Sequence, residues 1–235
     1  MSLESLLSRY KIIHEEYMKK ILFAIFSGPY KDIIAFKGGT LAYLYYWLPR
    51  FSTDIDLDLL DIAQEQEVKE YIETLLMGFW NVENRVWRDL HRWKFHYDPN
   101  SWLIKIELNK RQNPFTQYEW IVIDNIEIQA QNFTSMVTNK LIALGDRRYN
   151  RDLYDINYFV TQWCQFDENI IKNRTDSTLD QRIIMLIQKI PKQFQENTIL
   201  HQLWEVLDAK QKPWVKANLI TETTKLLQIY LANNK

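Results

Sequence analysis

The chain has 235 residues, 29 Lys plus Arg against 30 Asp plus Glu, and a net charge of -1 with pI near 6.4. That balance excludes the overall charge of a strong nucleic-acid binder, while 46% hydrophobic residues supply a core for one large domain or two small ones. A single Cys164 excludes an intramolecular disulfide, His14, His91, His96 and His201 lack zinc spacing, and no leader or bilayer-length apolar stretch is seen, so the chain reads as cytoplasmic and without membrane contact.

In chain order, Ser2 to about Phe26 reads as a helix, with apolar positions at Leu6, Ile13, Tyr17, Ile21 and Ile25. Asp32–Phe36 reads as a short buried strand, and Thr40–Tyr46 as the start of a buried helix. Gly38 and Gly39 stand at the junction. Glycine permits positive φ and close backbone approach, and the first N–H groups of the following helix suit a phosphate, with the Thr40 hydroxyl beside them. By itself a Gly-Gly pair there is also what a plain turn looks like.

The next segment, Thr53-Asp54-Ile55-Asp56-Leu57-Asp58-Leu59, has an acid at every second position. On a strand, Asp54, Asp56 and Asp58 share one face and Ile55, Leu57 and Leu59 the other. Like charges on one face are costly without a cation, and oxygen-only ligands at this spacing suit Mg²⁺. The competing reading is a solvated acidic edge, for which Asp58 is the best suited of the three.

Glu65–Phe79 is an amphipathic helix. Residues 82–130 read as four strands: Asn84–Leu90 running on to Tyr97, Trp102–Lys110, Tyr118–Ile123 and Ile126–Gln129, with Asp124-Asn125 as a tight turn. On the second of these, Lys105, Glu107 and Asn109 share a face; Glu107 is placed either to join the Asp pair or to form a solvated cross-strand pair. Arg85, Arg88, Arg92, Lys94, Lys105, Lys110 and Arg111 interleave with Trp87, Trp93 and Trp102. This fits a single-stranded nucleic-acid platform, or an aromatic sheet with snorkelling cations.

From Phe133 the pattern is helical. Gly145 is expected to end or loosen a helix carrying Lys140, and Asp152–Gln162, Leu179–Ile190, Thr198–Leu207 and Leu219–Ala232 are further helices punctuated by Pro191 and Pro213. Asp152 and Asp155 share a helical face, where first-turn acids also serve as dipole partners. Strands followed by helices imply an α+β fold, with a mixed-sheet domain at 1–130 and a helical domain at 131–235.

Taken together, Lys37-Gly38-Gly39-Thr40-Leu41, Arg50-Phe51-Ser52-Thr53-Asp54-Ile55-Asp56-Leu57-Asp58, Ile104-Lys105-Ile106-Glu107-Leu108-Asn109, Lys140 and Arg151-Asp152-Leu153-Tyr154-Asp155 resemble the AbiEii/AbiGii toxin family of nucleotidyltransferases, within the polymerase-β-like superfamily. The resemblance spans about residues 30–160. It implies a transfer of nucleoside monophosphate from an NTP to an acceptor hydroxyl, with Mg²⁺ or Mn²⁺ at Asp54 and Asp56 and Glu107 as the third acid. It assigns nucleotide binding to Lys37, Gly38, Gly39, Thr40, Ser52, Lys140 and Asp152, and a catalytic acid to Asp155 in preference to Asp152. It further implies an RNA acceptor such as the tRNA 3′ end, a toxin role in a toxin–antitoxin or phage-defence system, an antitoxin encoded nearby, and a helical domain that closes the cleft. Thr40 stands where many superfamily members have Ser. A protein-modifying transferase and a catalytically silent binding module are the alternatives.

Overall fold

The computed structural model describes residues 3–111 and 113–233, with side chains from residue 9 onward. Ser2, where the first helix is expected to begin, lies outside these residues, as does the Leu6 side chain. The described residues divide into two compact units: 1–47, 51–113 and 118–131 in the first, and 48–50, 114–117 and 132–235 in the second.

The first unit is built on α1 (Leu3–Phe26), β1 (Ile34–Lys37), α2 (Gly38–Leu44), β2 (Asp54–Leu59), α3 (Glu65–Leu76), β3 (Trp80–Trp87), β4 (Leu90–His96), β5 (Leu103–Asn109), β6 (Tyr118–Ile123) and β7 (Ile126–Gln131). The seven strands form one mixed sheet in the order β3-β4-β5-β2-β1-β7-β6. β2 lies at its centre, antiparallel to β1 and parallel to β5. Strand alternation gives the sheet two unlike faces. Ile55, Leu57, Leu59, Ile104, Ile106, Leu108, Trp93 and Phe95 are fully buried on one, together with Met18, Leu22 and Ile25 of α1 and Val68 and Ile72 of α3. The opposite face carries the polar residues of β2, β4 and β5.

One expectation for this unit is corrected. Residues 84–97 are not one strand but a hairpin, β3 and β4, turning at Arg88-Asp89, so the segment after α3 holds five strands. Both strands are rich in the same aromatic and basic residues, and the turn carries no glycine, so alternation runs on through it unbroken. Of the two readings of the aromatic–basic segment, Trp93 and Trp102 fit the aromatic sheet. Trp93 is buried, and Trp102 packs against the His14, Tyr10 and Phe51 rings. The turn at Asp124-Asn125 has positive φ at both residues (47° and 68°), the geometry that joins β6 to β7 directly.

The second unit contains α4 (Phe133–Asp146), α5 (Asn150–Thr161), α6 (Glu168–Thr175), α7 (Leu179–Gln193) and α8 (Gln211–Asn233). Its core joins Leu141, Leu144, Ile156, Phe159, Ile170, Ile183, Leu186 and Leu219. α4 is capped by Asn132, whose side chain accepts from Ser135 N, and α7 by a Thr178–Gln181 capping box. Gly145 lies inside α4 rather than ending it. A Cβ there would collide with the Arg182 guanidinium, which reaches in from α7 to donate to Ile142 O, while Lys189 donates to Gly145 O. Two cations thus satisfy the last carbonyls of α4. Residues 198–207 form successive turns instead of the expected helix, and α8 begins at Gln211, eight residues earlier than expected, with Pro213 inside its first turn. Pro191 sits inside the last turn of α7 and does not stop it. No described helix is long and apolar enough to cross a membrane.

Candidate active site

Register brings the sequence-predicted acids of the first unit together. β2 and β5 pair in parallel with Asp54 opposite Lys105, Asp56 opposite Glu107 and Asp58 opposite Asn109. Side chains of paired residues share a face, so the three aspartates lie in a row beside Lys105 and Glu107.

Each carboxylate has a different fate. Asp54 pairs with Lys105 at 2.9 Å. Glu107 accepts from Arg92 Nε at 2.7 Å and lies 3.3 Å from Lys105. Asp58 is not the solvated member of the row: it is buried, and takes bonds from Asn109 Nδ2 (3.1 Å), Tyr118 Oη (3.1 Å), Gln131 Nε2 (3.0 Å) and the Lys37 ammonium. Donors from β5, β6, β7 and β1 converge on it, which is what makes burying a carboxylate tolerable. Asp56 alone has no hydrogen bond or ion pair among the described residues. Burial, then the charges of Asp54 and Glu107, push its carboxyl up to about 6, against the opposing pull of Lys105 and Lys37. The same three acids hold the Lys105 ammonium above its usual range despite the downward pull of burial.

The glycine turn is built against Asp56. Gly38 has φ 82°, and a Cβ there would strike the Asp56 carboxylate. The N-terminus of α2, which begins at Gly38, has no side-chain cap; Lys37 occupies the cap position but spends its ammonium on Asp58. Thr40 is buried, and its hydroxyl bonds to Asp54 O and to Ser52 Oγ (2.9 Å), so Thr40 and Ser52 fasten α2 to the start of β2.

Among the described residues no three His, Cys, Asp or Glu side chains converge as a ready metal cage. The donor set nevertheless fits a hard divalent cation. Asp54 and Asp56 offer oxygen ligands from adjacent positions of one strand face, and Asp56 lacks a counter-ion, which is the arrangement Mg²⁺ takes when phosphates and waters complete its shell.

The second unit holds the remaining expected residues. Asp155 of α5 is fully buried. It accepts from Arg50 through Nε (2.5 Å) and Nη2 (2.7 Å), and from the Lys140 ammonium of α4. Burial alone would raise the Asp155 carboxyl, but Arg50 and then Lys140 overcome it and hold the group down at about 2. Asp155 and neighbouring Asp152 likewise keep the buried Arg50 guanidinium raised. Lys140 is therefore a buried member of a triad. Asp152 is also buried and takes a two-point bond from Arg147 at 2.7 and 3.0 Å.

Sequence reasoning assigned no role to Arg50 or to the donors around Asp58, and placed Arg92 in the basic–aromatic segment and not beside Glu107. For Arg50 a signal existed: a single cation directly before Phe51 in the motif that carries the aspartates.

A family model described as nucleotidyl transferase AbiEii toxin, type IV toxin–antitoxin system, matches residues 20–216. No curated protein matches the chain. Among solved structures, JHP933 from Helicobacter pylori is similar at TM-score 0.62 and 19% identity, covering 95% of this chain and 92% of that one. A putative nucleotidyltransferase from H. pylori is similar at TM-score 0.62 and 20% identity over 100% and 99%. MenT4, a nucleotidyltransferase toxin from Mycobacterium tuberculosis, is similar at TM-score 0.56 and 15% identity over 97% and 99%. These three establish the fold. With the family match covering most of its length, and with the acids and glycine turn arranged as above, the chain belongs to the AbiEii nucleotidyl transferase toxin family of type IV toxin–antitoxin systems.

Proposed function

We propose that this chain moves a nucleoside monophosphate from an NTP to an acceptor hydroxyl of RNA, such as a tRNA 3′ end, with Mg²⁺ or Mn²⁺ held by Asp54 and Asp56. The observation that carries the reading is Asp56, a half-buried carboxylate between two other acids, with no cation of its own among the described residues. A bound divalent ion would neutralise the triphosphate and align the acceptor hydroxyl.

The chain's own groups take the other tasks. Gly38 keeps the backbone of the turn close to Asp56, so that the uncapped N–H groups of α2 serve the phosphates. Lys105 holds Asp54 and Glu107 until the ion arrives, and Glu107 is the third acid at the edge of the site. In the second unit Asp155 holds Lys140, the lysine that the family resemblance assigns to nucleotide binding. Growth inhibition follows from capping an RNA end, and an antitoxin encoded nearby counters it without any need to touch the toxin.

The test is incubation of the purified protein with each α-labelled NTP, Mg²⁺ and either total RNA or total protein. Label is expected in RNA with a preferred NTP, and should be lost with Asp56→Asn or with chelator. Absence of label and of pyrophosphate release with every NTP would remove the transferase reading. Label in protein alone would replace RNA with a protein acceptor.

A further inference from the structure

β3 is one edge of the seven-stranded sheet, and all eight of its residues, Trp80 to Trp87, are exposed. Natural edges are usually blunted by proline, inward-pointing charge or a covering element. β3 has only a register shift between Trp80 and Glu83. From Glu83 onward it is regular, and it presents Val86 (55% exposed) and Trp87 (43%) with no apolar cover.

We propose that β3 is a self-pairing edge, joining a second copy of this chain antiparallel about a two-fold axis at Asn84. The argument comes from register. β3 pairs with β4 as Glu83–Lys94, Asn84–Trp93, Arg85–Arg92 and Val86–His91. In an antiparallel ladder, residues alternate between directing their N–H and C=O groups at one neighbouring strand and at the other. Glu83 and Arg85 are in one class, Asn84 and Val86 in the other. A second β3 can therefore pair only like class with like, which restricts a two-fold arrangement to one centred on a residue.

Three such centres lie at or between the two charged residues. Centring on Glu83 puts two glutamates face to face. Centring on Arg85 puts two arginines face to face. Centring on Asn84 puts Glu83 of each copy opposite Arg85 of the other, twice over. Like charges directly opposite destabilise a strand pair and opposite charges stabilise it. The alternation therefore selects one register and rejects its two neighbours.

The charges are unspent. Neither Glu83 nor Arg85 forms an ion pair among the described residues, and Arg85 stands beside Arg92 on β4, which is engaged with Glu107 and with the Trp87 ring at 4.7 Å. The sheet's other edge, β6, has no such complementarity. Its one charge, Glu119, accepts from Tyr46 Oη, and the Lys31 ammonium lies over its Trp120 ring. The pairing is isologous, so it closes at two copies.

The experiment is sedimentation velocity of the full chain over a concentration series, with four proteins: parent, Glu83→Arg, Arg85→Glu, and the double exchange. Both substituted side chains are solvent-exposed, and equal thermal midpoints check that folding is intact. The parent should dimerise. Each single reversal sets like charges opposite one another at both pairs and should weaken the dimer by about tenfold or more. The double exchange should restore it, since each copy again offers one acid to one base. A monomeric parent, single variants that dimerise like the parent, a double exchange that stays as weak as the singles, or open-ended polymers would each overturn the proposal.

Discussion

Asp54, Asp56 and Asp58 are chemically identical and one residue apart, yet one has an ammonium partner, one four donors and one none. Stability should record the difference. Asp56 has a folded carboxyl raised from 3.8 to about 6, so its contribution is most favourable below about pH 4 and is lost as pH rises through 6. Without divalent metal, Asp56→Asn should therefore be more stable than the parent at neutral pH, with the gain fading toward pH 4. Asp155 has the opposite sign. Lowered from 3.8 to about 2, it contributes roughly 2 kcal/mol above pH 4, lost as pH falls through 2. Removing one member of its buried triad leaves the others uncompensated, so Asp155→Asn and Lys140→Ala should each cost about 3 kcal/mol of unfolding free energy at neutral pH. Denaturant titrations of the three variants across pH check both signs; a neutral Lys140→Ala would show that Arg50 alone satisfies Asp155.

At the level of elements, the glycine turn is the most constrained. Gly38→Ala must hold an L side chain at φ 82°, a cost of about 1–2 kcal/mol, and must also displace the Asp56 carboxylate. It should lower the thermal midpoint and weaken Mg²⁺ binding measured by calorimetry, whereas Gly78→Ala, with open space around it, should change neither. Much of this was legible in the sequence. Alternation over 54–59 specified both the strand and its faces, because period two has no helical counterpart. What escaped was decided by partners distant in sequence. Asp58 looked solvated because Tyr118 and Gln131 lie 60 and 73 residues away. The break at Arg88-Asp89 escaped because either strand alone continues the same pattern. α6, Glu168–Thr175, escaped because only Ile170 and Ile171 of its eight residues are buried, too few to show a period. Residues 198–207 were taken for a helix because Ile199, Leu203, Val206 and Leu207 have helical spacing, although they are buried from a run of turns.

At the scale of the molecule, the two units are interleaved in the chain. Residues 48–50 leave the first unit between the glycine turn and the acid strand, and 114–117 leave it again before β6. The helical unit needs both. Arg50 neutralises Asp155, Pro49 O accepts from Gln211 Nε2 at 2.6 Å and from Tyr154 Oη at 3.3 Å, and Gln117 exchanges bonds with Asn132 N and Ser135 Oγ. A fragment comprising 132–235 keeps its apolar core but loses these partners. It should melt less cooperatively than the whole protein by circular dichroism. A fragment as stable as the intact unit would mean that the borrowed segments contribute little.

The Arg50–Asp155 pair also has a direction in time. Synthesis runs from the N-terminus at about 5–20 residues per second, and the two partners are 105 residues apart. Arg50 therefore leaves the ribosome roughly 5–20 s before the carboxylate that justifies burying it exists. Early in that interval the sheet of the first unit also lacks β6 and β7, which end at Gln131, before Asp155 is made. The newborn protein thus passes through a waiting period in which Asp54, Asp56 and Asp58 are already made, while the triad that orders Lys140 is not.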